Sequence, residues 1–366
     1  MILPLESIQP AVDLIIAVHS VSRPIDRAIQ SVAQAGLGLN AAGGVRINVV
    51  CHNIDESQIR AQIREPLRDQ VRYLSCRDGI PSPAGPFNAG LDAASAPYVS
   101  VMGSDDMLEP GALRQWLEIA LRHDSAAVLA PQRHANGAKV RTPPVRVGRS
   151  RKLDPVKDRL SYRTAPLGLV QVAEIRRLGL RFTAGYRTGE DQAFSAKLYF
   201  GGGRIDYARR AGHYVVGADA IDRVTSEVRP LEDDFTFATE LVASDWFGGL
   251  PDASQSALVT KLLRVHVFSA AASRNAESWT EADHTALAGV VKVLVAVAPH
   301  SVLPLSLADS RLLAAITSST ASGGELMELA RQRRKFGTPA TLLASNRRSQ
   351  FKPESPLRFM VASALL

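Results

Sequence analysis

The residues best suited to chemistry are acidic and come in two pairs. Gly103-Ser104-Asp105-Asp106 follows directly on an apolar run, which sets two adjacent carboxylates at the end of a buried strand. Side by side they repel, and a hard divalent cation that also meets phosphate oxygens is a common compensation. Capping of a helix that begins near Pro110 is the other role open to them. The second pair lies about 85 residues further on, in Thr188-Gly189-Glu190-Asp191-Gln192, where it opens a predicted helix over 190–200. Acids in a first helical turn are favoured by the helix dipole. A carboxylate placed there can equally act as a general base that takes the proton of an acceptor hydroxyl. Either pair alone admits both roles. Together, each at a junction between elements, the two pairs are more informative than either alone.

The elements that must position these acids alternate along the first half of the chain. Nearly continuous apolar runs over 13–18, 45–51, 71–75, 98–102 and 126–130 predict strands, of which 13–18 reads as buried on both faces. Helical spacing over 25–33 (Ile25, Ala28, Ile29, Val32, Ala33, entered through Pro24), 56–67, 84–94 and 110–122 predicts the helices between them. Such alternation implies right-handed crossovers and a mainly parallel, Rossmann-like α/β sheet with flanking helices. Ligands of these sheets bind beyond the carboxyl ends of the strands, which gathers His19–Arg23, Cys51–Asp55, Arg77–Phe87 and Gly103–Met107 around one crevice. Residues 133–165 have no apolar period and contain Pro143, Pro144 and Pro155, as a long functional loop or a flexible insert would. Helical signals return over 170–178 and 190–200, with short strands over 204–207 and 213–216. From about Leu231 the pattern is helical only, over 235–247, 254–272, 281–298, 305–318 and 324–335. A boundary near residue 230 follows, with an all-α region over 231–366.

Composition excludes several classes. Apolar residues at 46% and charged residues at 22% are those of a globular protein, not of a disordered scaffold. No apolar run approaches the roughly 20 residues of a membrane-spanning helix. MILPLESIQPAVD lacks the basic-then-apolar layout of a secretory signal. Cys51 and Cys76, the two cysteines, are too few for a disulfide framework or a four-thiolate zinc site, so a reduced, cytoplasmic setting is expected.

The net charge of +7 is uneven. Residues 133–163 hold ten Lys/Arg against Asp154 and Asp158, and residues 331–358 hold eight against Glu354. Subtracting these excesses of +8 and +7 leaves −8 for the rest of the chain. No zinc-finger spacing, aromatic RNA-binding signature or helix-turn-helix accompanies this charge, so no nucleic-acid partner is expected. Phosphorylated ligands, an anionic membrane face or plain solvation account for it.

Three stretches carry a family resemblance: LIIAV with the later AIQSV, GPFNAGLDAASAPYVSVMGSDDMLEP, and VAEIRRLGLRF followed by TGEDQAF and GGGRI. In that order they resemble the family 2 glycosyltransferases of the GT-A fold, over Asp13 to about Gly217, roughly 200 of 366 residues. The resemblance implies an inverting transfer of sugar from a nucleotide-diphosphate donor to a hydroxyl of a cell-envelope glycan, polymer or lipid-linked acceptor. It implies a divalent cation, Mn²⁺ or Mg²⁺, at Asp106, with Asp105 against the ribose or the metal shell. It implies a catalytic base at Asp191, supported by Glu190, which also touches the acceptor. Donor-nucleotide contacts fall on Ala17, His19, Ser20, Arg23, His52, Asn53, Asn88 and Ser104, and Tyr186, just before the second acidic pair, is open either to stacking on an acceptor sugar or to plain packing. The domain 1–230 then divides into a donor half (about 1–132), the basic loop 133–165 and an acceptor half (166–230). In this scheme the basic loop gates the cleft or holds a phosphate-bearing acceptor.

The chain departs from the family pattern at several places. Ala17-Val18-His19-Ser20 stands where Pro-x-Tyr-Asn is common, and Cys51-His52-Asn53-Ile54 where a nucleobase-contacting Asp-Asp-Gly-Ser is usual. His52, Asn53 or a backbone carbonyl then has to meet the base. Phe87 replaces an expected Arg, for which Arg77 or the basic loop can substitute, and Asp219 or Asp222 stand in for a further metal ligand. His213, His266, His284 and His300 share no ligand spacing and read as structural, as Cys51 does as a packing residue. The C-terminal helices offer a homo-oligomer surface, or peripheral contact with the inner membrane face through Arg331–Arg334, Arg347, Arg348 and LRFMVASALL. A buried bundle with a basic outer face accounts for them without a partner. Two other functions share these features: a nucleotidyltransferase, although His19–Arg23 has no glycine for a phosphate loop, and a catalytically inactive nucleotide- or glycan-binding scaffold.

Overall fold

The computed structural model describes residues 9–186, 188–217, 231–275, 279–318 and 320–366. The chain forms two compact units. The first comprises the described residues of Met1–Val140, Ser150–Leu153 and Thr164–Thr225, and the second those of Arg141–Arg149, Asp154–Arg163 and Ser226–Leu366.

In the first unit the order is β1 (Val12–Val18), α1 (Ile25–Ala33), β2 (Val45–His52), α2 (Glu56–Arg60), β3 (Arg72–Cys76), α3 (Ala84–Ala93), β4 (Tyr98–Gly103), β5 (Met107–Leu108), α4 (Ala112–His123) and β6 (Ala127–Leu129). There follow β7 (Gln132–His134), β8 (Lys139–Val140), β9 (Gly168–Gln171), α5 (Val172–Leu178), α6 (Gln192–Phe200), β10 (Ile205–Tyr207) and β11 (Tyr214–Val216). Seven strands form one sheet in the order β10-β6-β9-β4-β1-β2-β3, parallel except for β9, which runs against both β4 and β6. The central strand β1 is apolar and almost wholly buried, as a strand covered by helices on both faces must be. On one face α1 sends Ile25, Ala28, Ile29 and Val32 into a core shared with Leu14 and Ile16 of β1 and with Trp116 of α4. Near the start of β1, Asp13 is anchored by Arg46 Nε (2.7 Å), Asn48 Nδ2 (3.0 Å) and the Ser95 and Ala96 N–H groups (2.7 and 2.8 Å). Burial raises its pKa, but these donors outweigh burial and hold the carboxyl below its usual range.

The sequence pattern failed in instructive places. The helix expected over 56–67 stops after Arg60, and a 3₁₀ turn, Leu67–Gln70, follows; Pro66 offers no N–H and disfavours helix in the residue before it. Residues 170 and 171, expected to be helical, belong to β9 instead, because Val170 pairs with both Val99 and Ala127 and fills the gap between β4 and β6. A second sheet, β5-β11-β7-β8, was not anticipated.

The basic segment is the largest departure. It is packed rather than a free insert: Arg141–Arg149 and Asp154–Arg163 belong to the second unit, while Thr164 and Ala165 at its end line a cavity of the first. Asp158, fully buried, takes Arg146 Nε and Nη2 at 2.8 and 2.7 Å, and Arg159 and Arg163 are themselves buried on backbone carbonyls. Arg133 is tied to Glu109 and Arg151 to the Tyr207 carbonyl, within the first unit.

The second unit is otherwise helical: α7 (Leu231–Asp234), α8 (Thr236–Ala243), α9 (Asp245–Gly248), α10 (Asp252–Lys261), α11 (Phe268–Ser273), α12 (Glu281–Val297), α13 (Leu307–Thr317), α14 (Gly323–Arg333), α15 (Pro339–Leu342) and α16 (Pro356–Ala364). The single helix expected over 235–247 is broken at Ser244, whose Oγ caps α9 by accepting from the Phe247 N–H. Capping boxes at Thr280 and Ser306 start α12 and α13. Arg264 lies at the centre, donating to the Tyr162 hydroxyl (3.1 Å), the Glu354 carbonyl (3.0 Å) and the Pro304 carbonyl (2.8 Å). Among the described residues, no helix is long and apolar enough to cross a membrane.

Candidate active site

The carboxyl ends of β1, β2 and β4, with the start of α6, border a cavity of about 960 Å³ within the first unit. Asp105 and Asp106 line it, and so do Glu190 and Asp191. The two acidic pairs therefore converge on one space.

Asp106 is held from two sides. The Tyr214 hydroxyl donates to its Oδ2, and the Gly217 N–H donates to its Oδ1 at 2.8 Å. Gly217 has to be glycine, because a Cβ there would fall 2.1 Å from the Asp105 carbonyl oxygen. Burial pushes the Asp106 carboxyl above its usual range, and the neighbouring Asp105 adds to this against the two donors. The same burial, with Asp106 alongside, drives the Tyr214 hydroxyl far above the ordinary tyrosine range, so it stays a donor. Asp105 is shared with cations: Arg23 Nη1 stands 3.3 Å from its Oδ1, and Arg27 Nη2 donates to its carbonyl at 2.9 Å. One carboxylate is thus neutralised by protein and the other is only hydrogen-bonded. That donor set, two hard oxygens with residual negative charge, suits Mg²⁺ or Mn²⁺.

At the opposite acids, Asp191 stands at the N-cap position of α6 without a side-chain capping bond, and its Oδ1 accepts from Gln192 Nε2 at 2.9 Å. Glu190 is pushed up to about 7, first by burial and then by the charge of Asp191. A carboxyl raised to near 7 beside a second acid is an arrangement by which proteins tune acids and bases for neutral pH.

The strand ends supply the rest. Ala17, His19, Arg23, His52, Asn53 and Ser104 all line the cavity, as the crevice rule places them. Ser20 does not; its hydroxyl is engaged in a turn with Ser22 Oγ at 2.8 Å and the Ser22 N–H at 3.1 Å. Asn88 does not line it either. Its amide clamps the backbone of Phe182, donating to the carbonyl (2.9 Å) and accepting from the N–H (3.0 Å). Phe182 in turn packs on Phe87 and Phe194, with ring centroids 5.2 and 4.7 Å apart. Asn88 thereby fixes the backbone of Phe182, whose side chain lines the cavity. Tyr186 lies outside the lining, and Arg77, offered as a substitute phosphate contact, is paired with Asp55 instead. Asp219 and Asp222 fall outside the described residues. His213 is structural, its Nδ1 2.9 Å from Glu109.

Two residues were missed in the sequence. Tyr214 was read only as part of a strand, and nothing local marks it as the partner of Asp106. Asp78, just past β3, is not itself part of the lining but sets a carboxylate behind His52, which is. Its Oδ1 lies 2.8 Å from His52 Nε2 and accepts from the Ile80 N–H at 2.9 Å. Burial works against ionisation of Asp78, but these donors prevail and keep its pKa low. An acid after the third strand of such a sheet was the available signal.

Comparison with known proteins bears on the fold that carries this site. Residues 13–174 match the glycosyl transferase family 2 model. Poly(ribitol-phosphate) beta-N-acetylglucosaminyltransferase TarS of Staphylococcus aureus strain Mu50 is 23% identical over 224 residues, 59% of this chain and 37% of the relative. The chain therefore spans little more than a third of that relative's length. Among solved structures, S. aureus TarS 1–349 in complex with UDP-GlcNAc superposes with a TM-score of 0.69 at 17% identity, covering 88% of this chain and 91% of that one. The same fragment with UDP gives 0.66 at 16% identity, again over 88% and 91%. Residues 13–174 are a family 2 glycosyltransferase domain on a GT-A fold, and a helical region follows it in the chain.

Proposed function

We propose that the chain transfers a glycosyl group, with inversion, from a uridine-diphosphate sugar to a hydroxyl of a cell-envelope polymer. The observation that carries this reading is the convergence of Asp105-Asp106 and Glu190-Asp191 on one cavity. Sequence likeness to a poly(ribitol-phosphate) transferase supports the acceptor class, and the UDP and UDP-GlcNAc complexes of that relative support the donor class. For the base, Asp78 supports uracil, because an ionised carboxylate can accept from the ring N–H that uracil presents between two carbonyls.

In this reading Asp105 and Asp106 hold the divalent cation. Bound there, it supplies positive charge to the departing diphosphate. Arg23 adds a guanidinium at the same wall. Asp191 accepts the proton of the acceptor hydroxyl, and Asn88 and Phe182 keep the acceptor side in register. The value near 7 at Glu190 favours a second assignment, in which Glu190 is the base and Asp191 raises its pKa. The two assignments differ in their pH profiles. With Asp191 as base, kcat does not follow the Glu190 titration near 7. With Glu190 as base, kcat climbs through about 7.

The test is UDP binding by calorimetry with and without Mn²⁺, together with turnover of UDP-sugars. Asp191→Asn should cost about 10²–10⁴-fold in kcat and leave UDP affinity within a factor of about two. Full turnover in that variant removes Asp191 from the role, and absence of UDP binding refutes the donor assignment.

A further inference from the structure

Outside the two acidic pairs, three side chains with metal-ligand chemistry meet at the ends of β2 and β3. His52 and Cys76 are register partners across that parallel pair, and Asp78 follows Cys76 by two residues. His52 Nε2 is 2.8 Å from Asp78 Oδ1, Cys76 Sγ is 3.8 Å from Asp78 Oδ2, and all three ligand atoms lie within 4.8 Å of one another. Among the described residues, no other group of three His, Cys, Asp or Glu side chains converges in this way.

The hydrogen bonding at this point ties His52 to two polar neighbours. The Gly79 N–H donates to Asn53 Oδ1 at 3.1 Å, which fixes the amide with its NH₂ facing His52, and Asn53 Nδ2 is 3.0 Å from His52 Nε2. The same ring nitrogen faces the Asp78 carboxylate. With a proton, Nε2 satisfies Asp78 but opposes the Asn53 N–H; without one, it accepts from Asn53 but sets its lone pair against an anion. The first arrangement is satisfied when Asn53 Nδ2 donates instead to Asp78 Oδ1, 3.4 Å away. A cation shared by Nε2, the carboxylate and the sulfur takes the place of that ring proton and leaves the Asn53 bond to Asp78 intact. Room for the carboxylate comes from Gly85, where a Cβ would sit 2.0 Å from Asp78 Oδ2 and 3.4 Å from Cys76 Sγ.

The geometry points to a second cation site, of zinc type, at His52, Cys76 and Asp78, which closes the nucleobase end of the cleft when filled. Thiolate, imidazole and carboxylate are a zinc donor set, and the sulfur discriminates against Mg²⁺ and Mn²⁺. Tetrahedral zinc with bonds of about 2.0–2.3 Å separates its ligands by roughly 3.3–3.6 Å, a modest adjustment of side chains at a partly exposed strand end. Binding releases the Cys76 thiol proton to solvent and leaves a fourth position for water. The competition with nucleotide rests on the reading of Asp78 as the uracil acceptor. A zinc ion that engages Asp78 takes that acceptor away.

Cobalt(II) titration of the full chain tests the site, because a thiolate ligand gives a strong near-ultraviolet charge-transfer band. The band should appear, vanish on addition of Zn²⁺, be lost in Cys76→Ser and persist in Cys51→Ser. No band, or a band that survives Cys76→Ser, overturns the site. In calorimetry with Mg²⁺ present, one equivalent of Zn²⁺ should weaken UDP binding about tenfold in the wild type, the worth of one charge-assisted hydrogen bond, and leave Cys76→Ser unchanged. Unaltered UDP affinity beside a genuine cobalt band overturns the competition. If zinc-free protein does not bind UDP, the donor assignment fails, and the cobalt band still decides the site by itself.

Discussion

The cleft of the first unit and the interior of the second both bury charge, and they compensate it differently. In the cleft, Asp106 and Glu190 face a neighbouring acid and both are pushed upward. In the helical unit, burial likewise works against Asp309, but Arg333 and Arg264 outweigh it and its carboxyl stays low. Arg333 Nε donates to Asp309 at 2.6 Å and Arg264 Nε lies 3.5 Å from it. Tyr162 and Arg264 both donate to Glu354 Oε2, at 2.9 and 3.3 Å, although burial still raises that carboxyl. The second set is a nearly closed network of opposite charges, as a folding core requires. The first leaves negative charge for something that arrives from outside. Uncompensated charge marks the reactive region, while the quantity of buried charge does not.

The comparison can be broken most forcefully in the second unit. Arg264→Met should cost about 3–5 kcal/mol in urea unfolding, because it strands Glu354 and weakens the hold on Asp309. A loss under about 1 kcal/mol would show that the network is not structural. In the cleft, Tyr214→Phe should weaken Mn²⁺ binding about tenfold by calorimetry, since it frees one oxygen of Asp106 from its orienting donor. Unchanged Mn²⁺ affinity would deny Tyr214 that positioning role. Glu190→Gln probes the uncompensated side through pH. The folded pKa of Glu190, about 7, lies above its ordinary 4.5, so ionisation costs the folded state. Stability is lost as pH rises between these values, and the variant should melt a few degrees higher than wild type at pH 8 and at the same temperature at pH 4. A pH-independent difference would contradict the shift. The smallest effect belongs to the exposed cations Lys139, Arg141 and Arg149. Serine at all three should alter stability by less than about 0.5 kcal/mol and raise the KM for a phosphate-bearing acceptor, leaving the donor KM alone. If neither constant moves, these cations are surface only.

The amino-acid sequence alone determined the alternation of strands and helices, the meeting of four loops at one crevice and the identity of both acidic pairs. Apolar period is a local property, and the crevice follows from parallel topology without any knowledge of side-chain packing. Only the tertiary structure decided the partners. Tyr214 and Gly217 reach Asp106 across 108 and 111 residues, Asp78 reaches His52 across 26, and Glu354 closes on Tyr162 across 192. No local pattern encodes such pairings, because they arise when strands and helices distant in the chain are packed together. The basic segment shows the same limit: its composition reads as a solvated loop, yet Asp158 and a set of backbone carbonyls draw Arg146, Arg159 and Arg163 inward. Charge was legible; its compensation depended on the fold.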